Sequence, residues 1–248
     1  MYMASDWQVE TLRITVFPSD ISAVSMSKLW DSVVGQDPDA IHFQRDVIDA
    51  REIRYGNGRL VLAKHTDRFD WHYLSIQDNN DSGQLPIIGK LEEELNAFSN
   101  VANACLDSPH LLPISRLAFG AVLLHPVNTV EDGNLFLEGK LSNMNLEGVR
   151  EFNYQVNRRR MSKIDPGIEV NRLSKWNVYS GQLVTVAIDP LRGQQVSTTS
   201  GLRIASRLEL DINTFPERTG PLPKHEISAI FRELINLGLE ISERGDVS

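Results

Sequence analysis

The chain has 248 residues, 41% of them hydrophobic and 23% charged, which excludes wholesale disorder and allows one large domain or two of roughly 120 residues. Its net charge of −8 and pI near 5.3 argue against a surface that coats nucleic acid or anionic membrane throughout, while leaving room for a local basic patch.

In chain order, Leu12, Ile14 and Val16 alternate with mostly polar neighbours and predict a strand over 11–17 with one buried face, ended by Pro18. A helix follows, with Asp20 or Ser22 as its cap, Met26, Leu29, Trp30, Val33 and Val34 on one flank, and Gly35 as its stop. Gly56-Asn57-Gly58 predicts a hairpin between 50–55 and 59–64. A tight turn at 66–68 leads to the alternating Phe69-Asp70-Trp71-His72-Tyr73. A polar loop over 78–83 precedes a long helix starting near Pro86, whose apolar seam runs from Ile88 to Cys105 and whose Glu92, Glu93 and Glu94 face water. Cys105 reads as a core residue; as the only cysteine it excludes an internal disulfide and a thiolate zinc cluster.

After a break at 107–113, residues 114–125 form an apolar strand suited to burial on both faces. Residues 128–141 make a poor helix, since Gly133 and Gly139 each cost ~1 kcal/mol relative to alanine. Strands follow at 152–156, 169–179, 183–188 and 202–213, with a turn at Asp165-Pro166-Gly167 and a polar loop at 193–200. A final helix runs from Pro223 to about Glu243, with Ile227, Ile230, Phe231, Leu234, Leu237 and Ile241 as its buried stripe and Gly238 as its weak point.

The element order over 10–106 recurs over 114–243. The expected fold is therefore α+β, with two pseudo-repeated βαβββα lobes at 1–108 and 109–248 and mixed or antiparallel sheets covered by long amphipathic helices. The longest apolar stretch, 117–124, is too short to cross a bilayer, and residues 1–7 lack a basic region followed by an apolar core. The expectation is a cytoplasmic protein without membrane contact, and self-association is compatible with the sequence.

The wording of 152–158, Val170-Asn171-Arg172-Leu173 and 208–215 before a terminal helix resembles a sporadically distributed family of uncharacterised bacterial proteins of similar length. Where that family has Arg-Tyr-Asn-Arg-like wording, this chain has Gln155-Val156-Asn157-Arg158. The resemblance implies no activity, cofactor or site residue. It implies only a bacterial accessory or defence-linked setting.

Charge supplies the main functional lead. Residues 149–207 carry ten Lys/Arg against four Asp/Glu, a net +6 within a chain of −8. Two Val-Asn-Arg tripeptides flank the 165–167 turn, so pairing of their strands gathers Arg158, Arg159, Arg160, Lys163, Arg172 and Lys175, with Tyr154 and Trp176 beside them. Arginine with aromatic neighbours grips phosphates and stacks bases. The competing reading pairs these cations with the acidic remainder. A second group, His65, Asp67, Asp70 and His72, has metal-ligand chemistry, although a hairpin puts His72 beyond the turn, where it need not face His65. A third, Asp132, Glu138 and Lys140, has the residue types of a metal-dependent nuclease at an awkward spacing. Nucleophile-elbow, phosphate-loop, dinucleotide and zinc-protease motifs are absent. The sequence thus points to a non-enzymatic binding or adaptor protein, without cofactor or metal, that contacts an acidic protein or nucleic acid through a basic face. The alternative is a metal-dependent hydrolase or nuclease.

Overall fold

The alternation of Leu12, Ile14 and Val16 builds β1 (Gln8–Pro18), which runs through the middle of the molecule. The structure, a computed structural model, describes residues 6–43, 49–76, 84–141, 144–181, 184–188, 195–199, 202–217 and 220–246. Helix α1 (Met26–Val33) starts later than expected, with Ser25 at its N-cap. Asp20 instead accepts from the Ser22 backbone N–H at 2.9 Å, forming a local turn before the helix. Gly35 takes φ +70° behind α1, as a helix stop requires.

Three strands then meander: β2 (Ala40–His42), β3 (Asp49–Tyr55) and β4 (Gly58–Lys64), followed by β5 (Phe69–Ser75). The β3–β4 turn is Gly56-Asn57, with Gly58 already paired opposite Tyr55. A Cβ on Gly58 would lie 2.5 Å from the Leu74 carbonyl oxygen, so glycine is required there by close approach of β5. The expected loop at 78–83 lies outside the described residues. Pro86 does not open a helix. The chain stays extended, Ile88 N–H donates to the Val9 carbonyl at 2.7 Å, and β6 (Gly89–Lys90) pairs with the start of β1. Helix α2 (Leu91–Leu106) follows, with Glu92, Glu93 and Glu94 in its first turn, where the helix dipole favours them. Glu94 is not solvated as expected: it is buried, accepting from Tyr73 Oη at 2.8 Å and Asn57 Nδ2 at 3.0 Å.

The second half begins with β7 (Ile114–Val127), buried along most of its length. Residues 130–140 do form a helix, α3 (Val130–Lys140). Thr129 caps it by accepting from the Asp132 N–H at 3.0 Å, and Gly133 is placed where a Cβ would press on Val178 at 3.0 Å. β8 (Asn153–Met161), β9 (Glu169–Gly181), β10 (Val184–Ile188), β11 (Gln195–Thr199) and β12 (Arg203–Thr214) follow, then α4 (Ile227–Arg244). Part of the expected 193–200 loop is strand β11, whose Val196, Thr198 and Thr199 suit a strand paired with β10. Gly238 is a contact point rather than a weak point, since it lets α4 approach Phe119 and Leu210.

Ten strands form one antiparallel sheet in the order β2-β3-β4-β5-β1-β7-β12-β9-β8, with β6 beside β1; β10 and β11 pair separately. The sheet is continuous from the first half to the second across the β1–β7 pairing, and one hydrophobic core extends through both halves. The four helices of the described residues lie on one face of it. Trp30 of α1 stacks on Trp71 at 5.6 Å, and Tyr73 and Tyr55 donate to Glu94 and the Ala97 carbonyl of α2. Ser206 donates to the Gly133 carbonyl of α3, and Phe231 of α4 meets Phe119 edge-on at 6.3 Å. Strand registers place Tyr55, Trp71, Tyr73, Phe119 and Ser206 on this same face. Among the described residues no helix is long and apolar enough to cross a membrane.

Candidate functional site

The β8–β9 hairpin does bring the expected basic residues together, with Arg158 opposite Arg172. It does not make them one face. Alternation sends Arg158, Arg160, Arg172 and Trp176 to the helix side, and Arg159 and Lys175 to the other. Most are paired with acids, as the competing reading anticipates. Arg158 Nε and Nη2 bind Asp246 at 2.5 and 2.8 Å, and Tyr154 Oη donates to the same carboxylate at 2.5 Å. The Arg158 hydrogen bond holds the Asp246 carboxyl below its ordinary range. Arg160 and Arg172 lie 3.6 and 3.5 Å from Glu240, Arg159 lies 3.8 Å from Glu169, and Lys175 lies 3.5 Å from Glu209. Lys163 is exposed on the turn beyond β8, its backbone N–H donating to Glu233 at 2.7 Å. Trp176 is fully buried, with Nε1 donating to Ser174 at 3.1 Å, so it offers no stacking platform. Arg172 is 4% exposed and belongs to the seam between sheet and α4.

Asp132, Glu138 and Lys140 do not converge either. All three ride on α3, and six residues put Glu138 roughly 120° around the helix from Asp132. Lys140 lies over the Phe136 ring at 5.7 Å and donates to the Glu243 carbonyl at 3.3 Å.

The opposite face of the sheet carries no helix among the described residues, and the chemistry is concentrated there. Registers define a transverse row of short side chains: Ala63, Asp70, Thr15, Ala118, Asn213 and Asn171. All six are buried, although no described helix covers them. Longer side chains lean over them from the adjacent rows. His72 and Arg13 flank one side; Phe17 and Arg116 flank the other. Gly120, opposite both Arg13 and Asp211, leaves room for the Arg13 guanidinium, since a Cβ there would sit 3.0 Å from Arg13 Nε. Arg116 lies over the Phe17 ring at 4.8 Å and donates to Asn213 Oδ1 at 2.9 Å. Asn171 donates to the same oxygen at 3.1 Å, and Asn213 donates to Asp211 at 2.8 Å.

His65 and His72, whose convergence the hairpin left open, meet around Asp70. Its Oδ2 lies 3.0 Å from His65 Nε2, 3.4 Å from Arg68 Nε and 3.9 Å from His72 Nε2. This happens because Asp70 and His72 share one face of β5 while His65 closes the turn, its N–H donating to the Arg68 carbonyl. Asp67 stays outside, 60% exposed and 3.3 Å from Arg68. Desolvation holds His72 down at about 4 against the pull of Asp70, with Arg13, His65 and Arg68 adding to the depression, so its imidazole is neutral at pH 7. No group of three or more His, Cys, Asp or Glu among the described residues is arranged to hold a metal ion.

Hydrogen bonding is incomplete on this patch, as it is at Trp71 Nε1 on the helix side of the sheet and at Asn134 Oδ1 of α3. Arg13 Nε, Thr15 Oγ1, Asp70 Oδ1 and Arg116 Nε are all sealed from solvent without a hydrogen-bond partner among the described residues. Each such atom costs roughly 1–3 kcal/mol. Arg13, Thr15 and Arg116 escape a reading based on charge runs. The signal for them is the alternation in β1, which sends Arg13 and Thr15 away from the buried Leu12, Ile14 and Val16. The chain matches no family model, and no curated protein matches it.

Proposed function

We propose that this is a non-enzymatic binding or adaptor protein that meets its partner on the helix-free sheet face, around Arg13, Thr15, Asp70 and Arg116. The observation that carries this reading is the group of buried polar atoms without a hydrogen-bond partner among the described residues, on a sheet face that no described helix covers. Of the two partner classes, the charge pattern favours an acidic protein over nucleic acid. Signs alternate across the face, as in Arg13 with Asp211, Arg68 with Asp67 and Lys175 with Glu209, which suits mixed protein chemistry better than a uniform phosphate backbone. A bacterial accessory or defence setting is part of the proposal and rests on the family resemblance alone. The lobes 1–108 and 109–248 are read as pseudo-repeats, β1-α1-β3-β4-β5-α2 and β7-α3-β8-β9-β12-α4, joined along β1–β7.

Fluorescence anisotropy with an acidic peptide and with single- and double-stranded oligonucleotides, across a salt series, tests the reading. Arg13→Gln/Arg116→Gln should weaken peptide binding about tenfold or more, while Arg158→Gln/Arg160→Gln leaves it nearly unchanged. The reverse pattern, or a preference for oligonucleotide, moves the contact to the basic edge. The rival hydrolase reading draws on one observation, the 3.0 Å His65–Asp70 contact that would orient the imidazole as a base. Phosphodiester or ester turnover that disappears in His65→Gln would establish it.

A further inference from the structure

The strand order leaves two edges, and they are unequal. β2 ends one side with three residues, while β8 ends the other with nine, and no strand lies beyond β8 among the described residues. Ser162 N–H donates to the Ile168 carbonyl and Phe215 N–H to the Glu169 carbonyl, both at 2.8 Å. These two bonds fix the alternation along the β8–β9 ladder. Even-numbered residues of β8 exchange hydrogen bonds with β9, whereas Asn153, Gln155, Asn157, Arg159 and Met161 turn their N–H and C=O groups outward. All five are exposed, and their outward backbone groups have no hydrogen-bond partner among the described residues. A long open edge of this kind is a template for another strand.

Charged residues on an edge strand usually keep it from pairing with itself. Here the three arginines occupy one half of the strand, and the other half, Asn153-Tyr154-Gln155-Val156, is neutral. An antiparallel copy of β8 centred on Asn157 pairs the whole strand and sets Arg158, Arg159 and Arg160 opposite Val156, Gln155 and Tyr154 of the second copy. No arginine then directly faces another, and each also has a carboxylate of its own chain in Asp246, Glu169 or Glu240. Asn157 is an outward-turned residue, so it can exchange both backbone hydrogen bonds with its counterpart. Charge complementarity runs across the same contact. Asp246 accepts from both Tyr154 and Arg158 and so lies over Val156, the residue that this register sets opposite Arg158 of the second copy. Met161, a large apolar side chain that is 53% exposed, gains cover from the added strand. We infer that β8 is a self-association edge: two copies of this chain join β8 to β8 about a two-fold axis at Asn157, continuing one antiparallel sheet through both. The contact is separate from the helix-free face on which a partner is proposed to bind.

Sedimentation equilibrium of the intact chain, from about 1 μM to about 1 mM, should resolve a reversible dimer of twice 27.9 kDa. Gln155→Pro removes an outward N–H and leaves the β9 ladder intact, so it should weaken dimerisation at least about tenfold with an unchanged circular dichroism spectrum. Arg13→Gln/Arg116→Gln, on the helix-free face, should dimerise like wild type. Should Gln155→Pro fold poorly, a charge cycle gives the readout. Gln155→Glu sets a carboxylate opposite Arg159 of the second copy twice over, and should tighten the dimer roughly two- to thirtyfold. Adding Arg159→Gln should cancel that gain. Within one chain the two positions lie four strand residues apart, about 13 Å, so coupling between them arises between copies. A chain that stays monomeric to about 1 mM, a dimer indifferent to Gln155→Pro, or a gain in Gln155→Glu that is absent or survives Arg159→Gln overturns the inference. A monomeric chain whose binding of an acidic peptide is lost in Gln155→Pro gives the edge to a different partner, and likewise overturns it.

Discussion

At the scale of single residues, His72 sets a pH dependence whose sign follows from its surroundings. Unfolded, its imidazole titrates near 6.5; burial holds the folded one down at about 4, so between those values the unfolded chain binds more protons. Its contribution is complete above pH 6.5 and is lost as pH falls toward 4, by at most about 3 kcal/mol. Denaturant midpoints measured from pH 7 to 4 should therefore fall more steeply for wild type than for His72→Gln. Parallel curves would mean that His72 is already protonated in the folded state. The Tyr73–Glu94 bond is a second local device. Tyr73→Phe removes the donor from a buried carboxylate that still receives Asn57, and should cost roughly 1–3 kcal/mol by urea unfolding.

Among the elements, the helices are held by close contacts that composition alone misjudges. Gly133 and Gly238 lower intrinsic helicity, yet each stands where a helix touches the sheet, against Val178 and Phe119 respectively. Gly238→Val should destabilise the protein by about 1–3 kcal/mol through overpacking, whereas Gly139→Ala, with open space around its Cα, should stabilise it slightly. Period-two alternation made β1, β5, β9 and β12 legible, and apolar spacing made α1, α2 and α4 legible, because each signal is local. The start of α2 was not legible. Pro86 is compatible with a first helical turn, and only pairing of Gly89 and Lys90 with β1 keeps 86–90 extended. The candidate site was legible in part. His65, Asp70 and His72 stand out by residue type, but Arg13, Thr15 and Arg116 join them only through the β5-β1-β7 order, which is a long-range property.

For the whole molecule, the β1–β7 pairing and the shared core make the two halves one mechanical body. Thermal unfolding followed by far-ultraviolet circular dichroism and by tryptophan fluorescence should give coincident transitions; two separated ones would show halves that fold independently. Among the described residues four helices lie on one face of the sheet and none on the other, and that other face holds buried polar atoms without a hydrogen-bond partner among the described residues. Natural proteins retain such costs where function requires them. The most direct test is the stability of Thr15→Val, which removes one sealed hydroxyl and keeps its shape and strand propensity. If Thr15 Oγ1 lacks a partner in the free protein, unfolding free energy stays equal or rises by about 1 kcal/mol. A loss of about 1 kcal/mol or more would show that the hydroxyl is already satisfied, and the case for this face as a partner surface would fall with it.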